Sequence, residues 1–447
     1  MSKINWVDAL RLERDVAIIC QQQEKNGIYF DTDKALYLIG LLEYKKAELY
    51  KSIRSHLNYE VIRLETKDPE GNCGFVKKIY LKNGSYNAQV LKHYTDPSIV
   101  GGPFSRISIE EPDIGKRGLI INQLLNLGWK PQVFTEKGFP KLTDKGEPVD
   151  TLEEVGNFGK SLSLWYVYSH RQSQIQGFLP YVRKDHRIPA SLNSCGTNTF
   201  RAVHRIVANI PRPSSVFGKE MRSLFTVPEG RVFVGADASG LELRMLAHRM
   251  NDPEYTALIL HGDIHTHNQN LAGLPTRDHA KTFIYAWLYG AGATKIGSIT
   301  GGGMKQGKQM IDSFMDGCPS VAKLITKVKD FASKRGYLPT VDLRKVFIRK
   351  FEGKTLVHTA LNALLQSDGS IVVKRAMVIA NATIFERGLD AKQIIYYHDE
   401  LAFDCDPACA DEVGQILTDS MKEAGEYYKL NIPITGEYKI GKDWSIH

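Results

Sequence analysis

The chain has 447 residues, 43% of them hydrophobic, and carries 58 basic against 50 acidic side chains for a formal charge of +8. It is long enough to bury a large core divided over several lobes, and it shows no low-complexity tract, internal repeat or stretch approaching a membrane span. Cys20, Cys73, Cys195, Cys318, Cys405 and Cys409 are scattered without metal-ligand spacing, which argues against a zinc site or a disulfide frame and for reduced thiols. The N-terminus lacks an apolar signal core, so the expected setting is the cytoplasm, and the mild positive charge suits a polyanionic partner without demanding one.

In chain order, Trp6 to Lys25 reads as an amphipathic helix stopped by Asn26-Gly27, and Asp33 to about Leu57 as a second, strongly patterned helix. From about Glu60 to Ser108 helical patterning is lost and glycines and lysines accumulate. Helices resume at Lys116 to Leu127 and Gly156 to Gln176. Val232 to Ala236 has the short apolar run of a buried strand, ends on Asp237, and passes into a helix whose Leu241, Leu243, Met245, Leu246 and Met250 follow helical spacing. A further helix starts after Pro275 and Thr276 and stops at Gly290, and Gly290 to Gly307, dense in glycine, reads as a turn or a solvated connection. Ile394 to Asp404 reads as a hairpin, with two apolar runs flanking His398, Asp399 and Glu400.

Three of these elements carry chemistry. Asp237 has two readings: a cap for the helix that follows, or a carboxylate offered from a strand end to a divalent metal. Asp399, at the tip of a tight hairpin, supplies a second carboxylate, and a pair of acids from separate strands can hold two Mg²⁺ ions for in-line phosphoryl transfer. Between them, Arg277, Lys281, Tyr285 and Tyr289 recur every four residues. That spacing places two cations and two aromatic rings along one helix stripe, a surface suited to a triphosphate and its base.

These segments resemble a known family in order and separation. Asp237 to Arg244 (DASGLELR) resembles motif A of the family A DNA polymerases, Arg277 to Gly290 (RDHAKTFIYAWLYG) motif B, and Tyr396 to Glu400 (YYHDE) motif C. Gly262 to Gln269, Leu361 to Ser367 and the closing Lys442-Asp443-Trp444 are similar to the T-seven-type phage branch. The resemblance implies an α+β right-hand polymerase fold: an antiparallel palm sheet at about 186–250 and 356–447, fingers at 251–355, and a thumb at 1–185 with an inserted segment at about 60–108. The insert would engage a processivity partner or the duplex; the alternative is a disordered or plain β-rich loop.

By the same resemblance, Asp237, Asp399 and the Ala238 carbonyl would hold two Mg²⁺ ions, for which Mn²⁺ substitutes, with Glu400 supporting them from behind. Arg277 and Lys281 would grip the incoming dNTP with His265 assisting, and Tyr285 would stack near the nascent base pair. Glu242 would close the sugar pocket against a 2′-hydroxyl, favouring a DNA product. Tyr285, a tyrosine as in the phage branch, implies weak discrimination against sugars lacking the 3′-hydroxyl. Arg201, Gln366, His398 and Tyr289 would contact DNA, the first two at minor-groove acceptors shared by all correct pairs. Phe200 stands where the family usually has glycine, which loosens the alignment of Arg201.

The family's proofreading exonuclease precedes the thumb and this sequence starts at the thumb, so the expected activity is extension of primed DNA without 3′-end editing, the exonuclease residing on another chain, being dispensed with, or having been trimmed from a longer chain. Rival readings are a single-subunit RNA polymerase, disfavoured by Glu242 and by Glu400 after Asp399; a His-x-His metal hydrolase built on His265 and His267, which lacks companion ligands; and a catalytically dead DNA-binding homologue, disfavoured because the chemical residues are all present.

Overall fold

The computed structural model describes residues 6–57, 59–135, 137–144 and 147–446; residues 1–5, which begin the stretch read as lacking a signal core, lie outside them. Contacts divide the chain into two units, Met1–Ala35 with Gly177–His447, and Leu36–Gln176. The first helix, α1 (Trp6–Asn26), buries Leu12, Val16 and Cys20 along one face and ends at Gly27, whose φ of +64° favours a residue without a Cβ. That face packs against the long helix Ala360–Glu386 and the strand Ala391–Tyr397. Here the structure departs from the division at residue 185: α1 belongs to the sheet-bearing unit. Its apolar stripe announces a buried face but not the surface, far along the chain, that covers it.

α2 (Thr32–Arg54) runs on into the second unit. There β1 (Glu60–Leu64), β2 (Phe75–Val76) and β3 (Phe104–Glu110) form an antiparallel sheet in the order β1-β3-β2, closed over Val76, Ile79, Val90 and Val100. The segment 60–108 is therefore β-rich with a small core of its own. α3 (Arg117–Asn126) contributes Ile120 and Leu124 to a second core with Ile53, Trp129, Phe158 and Leu162. α4 (Gly156–Phe178) lies along α2, joined by Lys46 Nζ to Gln172 Oε1 at 2.8 Å and by the Ser52 and Ser161 hydroxyls at 3.3 Å. The helix pair of this unit is thus α2 with α4.

The other unit is organised around β4 (Val232–Ala238), whose Phe233 to Ala236 are buried on both faces as a central strand requires. α5 (Leu241–Met250) follows at once. α6 (Ile264–Ala272), α7 (Arg277–Leu288), α8 (Ala293–Ser298), α9 (Met304–Gly317) and α10 (Pro319–Arg335) form a helical cluster. The glycine-dense stretch within it is a packed crossing of α8 and α9: a Cβ on Gly307 would lie 1.9 Å from the Ala293 carbonyl oxygen. Two small hairpins come next, β5 (Tyr337–Pro339) with β6 (Lys345–Phe347), and β7 (Lys350–Phe351) with β8 (Lys354–Thr355).

α11 (Ala360–Glu386) leads to β9 (Ala391–Tyr397) and β10 (Glu400–Cys405), then α12 (Ala410–Tyr427) and β11 (Gly436–Gly441). β4, β9, β10 and β11 make a four-stranded antiparallel sheet in the order β9-β10-β4-β11, with α12 packed on β4 and β11. The sheet and helices give the α+β class and antiparallel central sheet read from the sequence. No described helix is long and apolar enough to cross a membrane, and all six cysteines are free.

Candidate active site

The hairpin between β9 and β10 turns on His398 and Asp399, and His398 takes φ +62°, the left-handed conformation that two-residue hairpin turns use. β10 pairs with β4 so that Asp237 stands opposite Glu400, and the Asp399 carbonyl accepts from the Ala238 N–H at 3.2 Å. Register alone therefore brings Asp237 and Asp399, distant in sequence, to the same end of the sheet. Of the two readings of Asp237, the cap fails: the residue preceding α5 is Gly240, at φ +60°, and no side chain caps the helix.

Asp237 is open to solvent at its strand end and Asp399 is half-buried. Among the described residues neither carboxylate has an ion-pair partner. Surrounding protein raises the pKa of both, and the charges of Glu242 and of Asp237 add to the effect on Asp399, which is pushed up to about 7. Such accumulated, unneutralised negative charge on hard oxygen donors fits a divalent cation. Among the described residues no group of three or more His, Cys, Asp or Glu side chains has metal-binding geometry. A cation at this place would therefore complete its shell with backbone oxygen, water or substrate.

Glu400 faces elsewhere. It is buried, accepts from Trp444 Nε1 at 2.6 Å, and has its pKa pushed up to about 8 by burial, against the opposing charge of Arg222. Arg222 in turn lies over the indole of Trp444 at 4.7 Å. Tyr397 packs edge-on to Trp444 at 5.4 Å and stacks on His204 at 4.5 Å. Burial holds the His204 pKa down to about 4, so this imidazole is neutral. The sequence reading did not find this scaffold beneath the hairpin. Tyr397 lies within the Tyr396–Glu400 motif and Trp444 within the closing segment, but nothing in the sequence singles out Arg222.

Glu242, in the first turn of α5, is buried and accepts from Arg201 Nη2 at 2.8 Å and from the Tyr289 hydroxyl at 3.0 Å. Three residues assigned separately, two to DNA and one to the sugar, thus form one linked group. Arg201 also lines a cleft of about 380 Å³ with Gln366, His398, Asn362 and Arg349, so all the minor-groove candidates border one space. Phe200, the departure from the family pattern, has φ +61° and anchors its turn by accepting from Ser370 Oγ at 2.9 Å. It therefore adopts the conformation that glycine would supply.

α7 begins at Thr276, whose hydroxyl accepts from the His279 N–H at 3.2 Å, as its start signal predicts. Arg277 and Lys281 are exposed on its first turns. Arg277 Nε donates to Asp263 at 2.7 Å, and Asp263 also caps α6. His265, on α6, lies 6.3 Å from the Tyr285 ring centroid; burial and the charges of Arg277 and Lys281 lower its pKa. Four of the nucleotide candidates, Arg277, Lys281, Tyr285 and His265, are thereby gathered on α6 and α7, while Glu242 comes from α5.

The family model described as DNA polymerase family A matches residues 128–446. The chain is similar to the DNA-directed DNA polymerase of Escherichia phage T7, at 30% identity over 511 residues covering 98% of this chain and 70% of that protein. It is also similar to the DNA-directed DNA polymerase of Escherichia phage Phieco32, at 36% identity over 381 residues covering 66% of this chain; it spans 62% of that protein's length. A solved structure, the POL domain of Pol1 from M. smegmatis in complex with DNA primer-template and dNTP, has the same fold, with a TM-score of 0.72 at 22% identity over 97% of this chain and 70% of that one.

Proposed function

The chain belongs to DNA polymerase family A, and from that premise we propose that it is a template-directed DNA polymerase adding deoxynucleotides to a primer 3′-hydroxyl. The observation that carries this reading is the pair Asp237 and Asp399, set at one sheet end, both with raised pKa values and no ion-pair partner among the described residues. These carboxylates, with the Ala238 carbonyl, would hold two Mg²⁺ ions or substituting Mn²⁺. When bound, the ions supply acidity to the attacking hydroxyl and spread the charge of the transferring phosphate.

The chain's own groups position the reactants. Lys281 and Arg277 bind the triphosphate, and neutral His265 donates a hydrogen bond beside them. Arg277 exchanges its exposed contact with Asp263 for the phosphates. Tyr285 stacks at the nascent pair. Glu242, fixed between Arg201 and Tyr289, closes the space a 2′-hydroxyl would need. Arg201, Gln366 and His398 line the path of the duplex end, where donors to minor-groove acceptors register pair geometry without reading sequence. Glu400, tied to Trp444, is a positioning residue that fixes the hairpin carrying Asp399. Tyr285 predicts efficient incorporation of dideoxynucleotides.

In this reading residues 36–176 form the thumb, 186–250 and 356–447 the palm with α1 attached, and 251–355 the fingers. The small sheet at 60–108 is where a processivity partner or the duplex would be met. The enzyme works where its template lies, in the host cytoplasm if phage-encoded.

Primer extension tests the reading. The wild-type chain should extend a primed template, and Asp237→Ala and Asp399→Ala should each lose on the order of 10³-fold, since each removes a group that stabilises transition-state charge. Near-normal activity in either variant contradicts the metal assignment.

A further inference from the structure

Beyond the cleft, the strand β6 and the β7–β8 hairpin carry features that the polymerising site does not use. From Lys345 to Arg349 burial alternates strictly: Val346 and Ile348 are buried, while Lys345, Phe347 and Arg349 face solvent. Phe347 is 63% exposed, and Phe351, next to the turn of the following hairpin, 66%. Phe347 lies 6.0 Å from Tyr337 between ring centroids, and Lys345 Nζ sits 4.6 Å above the Tyr337 ring.

The hairpin is built deliberately. Phe351 pairs with Lys354 across Glu352 and Gly353, both at positive φ (+47° and +77°), the two-residue turn that matches strand twist. The Leu356 N–H donates to the Arg349 carbonyl at 2.8 Å and closes its base. A two-stranded hairpin with its aromatic ring in water gains little stability of its own, so exposed aromatics there point to a partner.

The location and charge identify that partner. Asn198 Nδ2 donates to the Phe347 carbonyl at 3.2 Å, and Arg349 lines the same cleft as Arg201, Gln366 and His398. Among the described residues Lys345, Arg349, Lys350 and Lys354 have no ion-pair partner. Unneutralised cations interleaved with exposed ring faces suit a polyanion whose bases are free to stack. A duplex offers phosphates but keeps its bases paired, and an acidic protein surface would leave the rings unused.

We propose that the stripe Lys345–Phe347–Arg349 and the hairpin residue Phe351 bind the unpaired template strand at the mouth of this cleft. The proposal rests on the polymerase reading and adds a strand-gripping surface to it.

The test is fluorescence anisotropy with two primer-templates of equal duplex length, one with a single-nucleotide and one with a ten-nucleotide template overhang, on the full chain. Phe347→Ala/Phe351→Ala should weaken binding of the long-overhang substrate about fivefold or more, the range of lost base stacking, and change the short one less than about twofold. Lys350→Ala should lower the salt slope on the long overhang by about one. Both variants replace exposed side chains, and unaltered extension on the short overhang confirms an intact fold. Equal losses on both substrates, no loss on either, or displacement of the long overhang by polyglutamate but not by oligothymidine each overturn the proposal. A wild-type chain that fails to extend either primer overturns the polymerase reading and the proposal with it.

Discussion

The acidic end of the central sheet and the basic start of α7 solve opposite electrostatic problems. Asp237 and Asp399 are fixed by backbone register, and neither has an ion-pair partner among the described residues. Arg277 and Lys281 project from the outside of a helix into water, and Arg277 already spends a hydrogen bond on Asp263. Charge held in place by a sheet is prepared for a small cation whose geometry is strict. Charge carried on long, solvated side chains can follow a triphosphate as it arrives and leaves. On the proposed reading, the difference teaches that the half of the site that would hold metal is preorganised, whereas the half that would hold the nucleotide is assembled by its ligand.

The contrast can be broken first at α7. Lys281→Ala should lower kcat/KM for dNTP incorporation on the order of 10²-fold, the effect of removing one charge-stabilising donor. Arg277→Ala should cost less, about tenfold, because the wild-type guanidinium must first leave Asp263. Steady-state kinetics at varied dNTP decides the order. Equal losses would show that the ion pair with Asp263 does not hold Arg277 back.

Glu242 joins the two halves, and Glu242→Ala should relax selection against ribonucleotides by at least about tenfold, since shape alone rejects an added hydroxyl only weakly once the pocket is opened. Competition between dCTP and CTP on a primed template reads this ratio. An unchanged ratio would free Glu242 from its sugar-sensing role and leave it as the clasp between Arg201 and Tyr289.

Beneath the acids the expected effects are on stability. With its pKa raised to about 8, Glu400 is protonated at neutral pH, so Glu400→Gln should unfold close to the wild-type temperature. Trp444→Phe leaves a buried oxygen without its donor and should cost about 1–3 kcal/mol. Thermal unfolding of the two variants at pH 7 compares them directly, and a larger cost for Glu400→Gln would contradict the neutral-acid assignment.

Much of the site is legible in the sequence because its elements are local. A strand that ends in an acid before a helix, a four-residue recurrence on one helix and a hairpin with a polar tip each announce their own geometry. The antiparallel sheet that unites Asp237 with Asp399 follows once the resemblance joins them. What is not legible depends on long-range partners. The stripe of α1 does not reveal that its cover is α11 and β9, and Glu242 does not show that Arg201 and Tyr289 converge on it. Gly297 and Gly307 have the composition of a flexible connection, yet they permit two helices to cross at contact distance. Arg222 carries no sequence signal because its task, lying over Trp444 near Glu400, exists only after folding.

The most direct measurement is a count of Mn²⁺ ions bound to the full chain by electron paramagnetic resonance, in the presence of primer-template and a non-transferable dNTP analogue. The account predicts two tightly held ions per wild-type chain, with Asp237→Asn and Asp399→Asn each losing at least one. Binding of the same number of ions with the same affinity by both variants would contradict it.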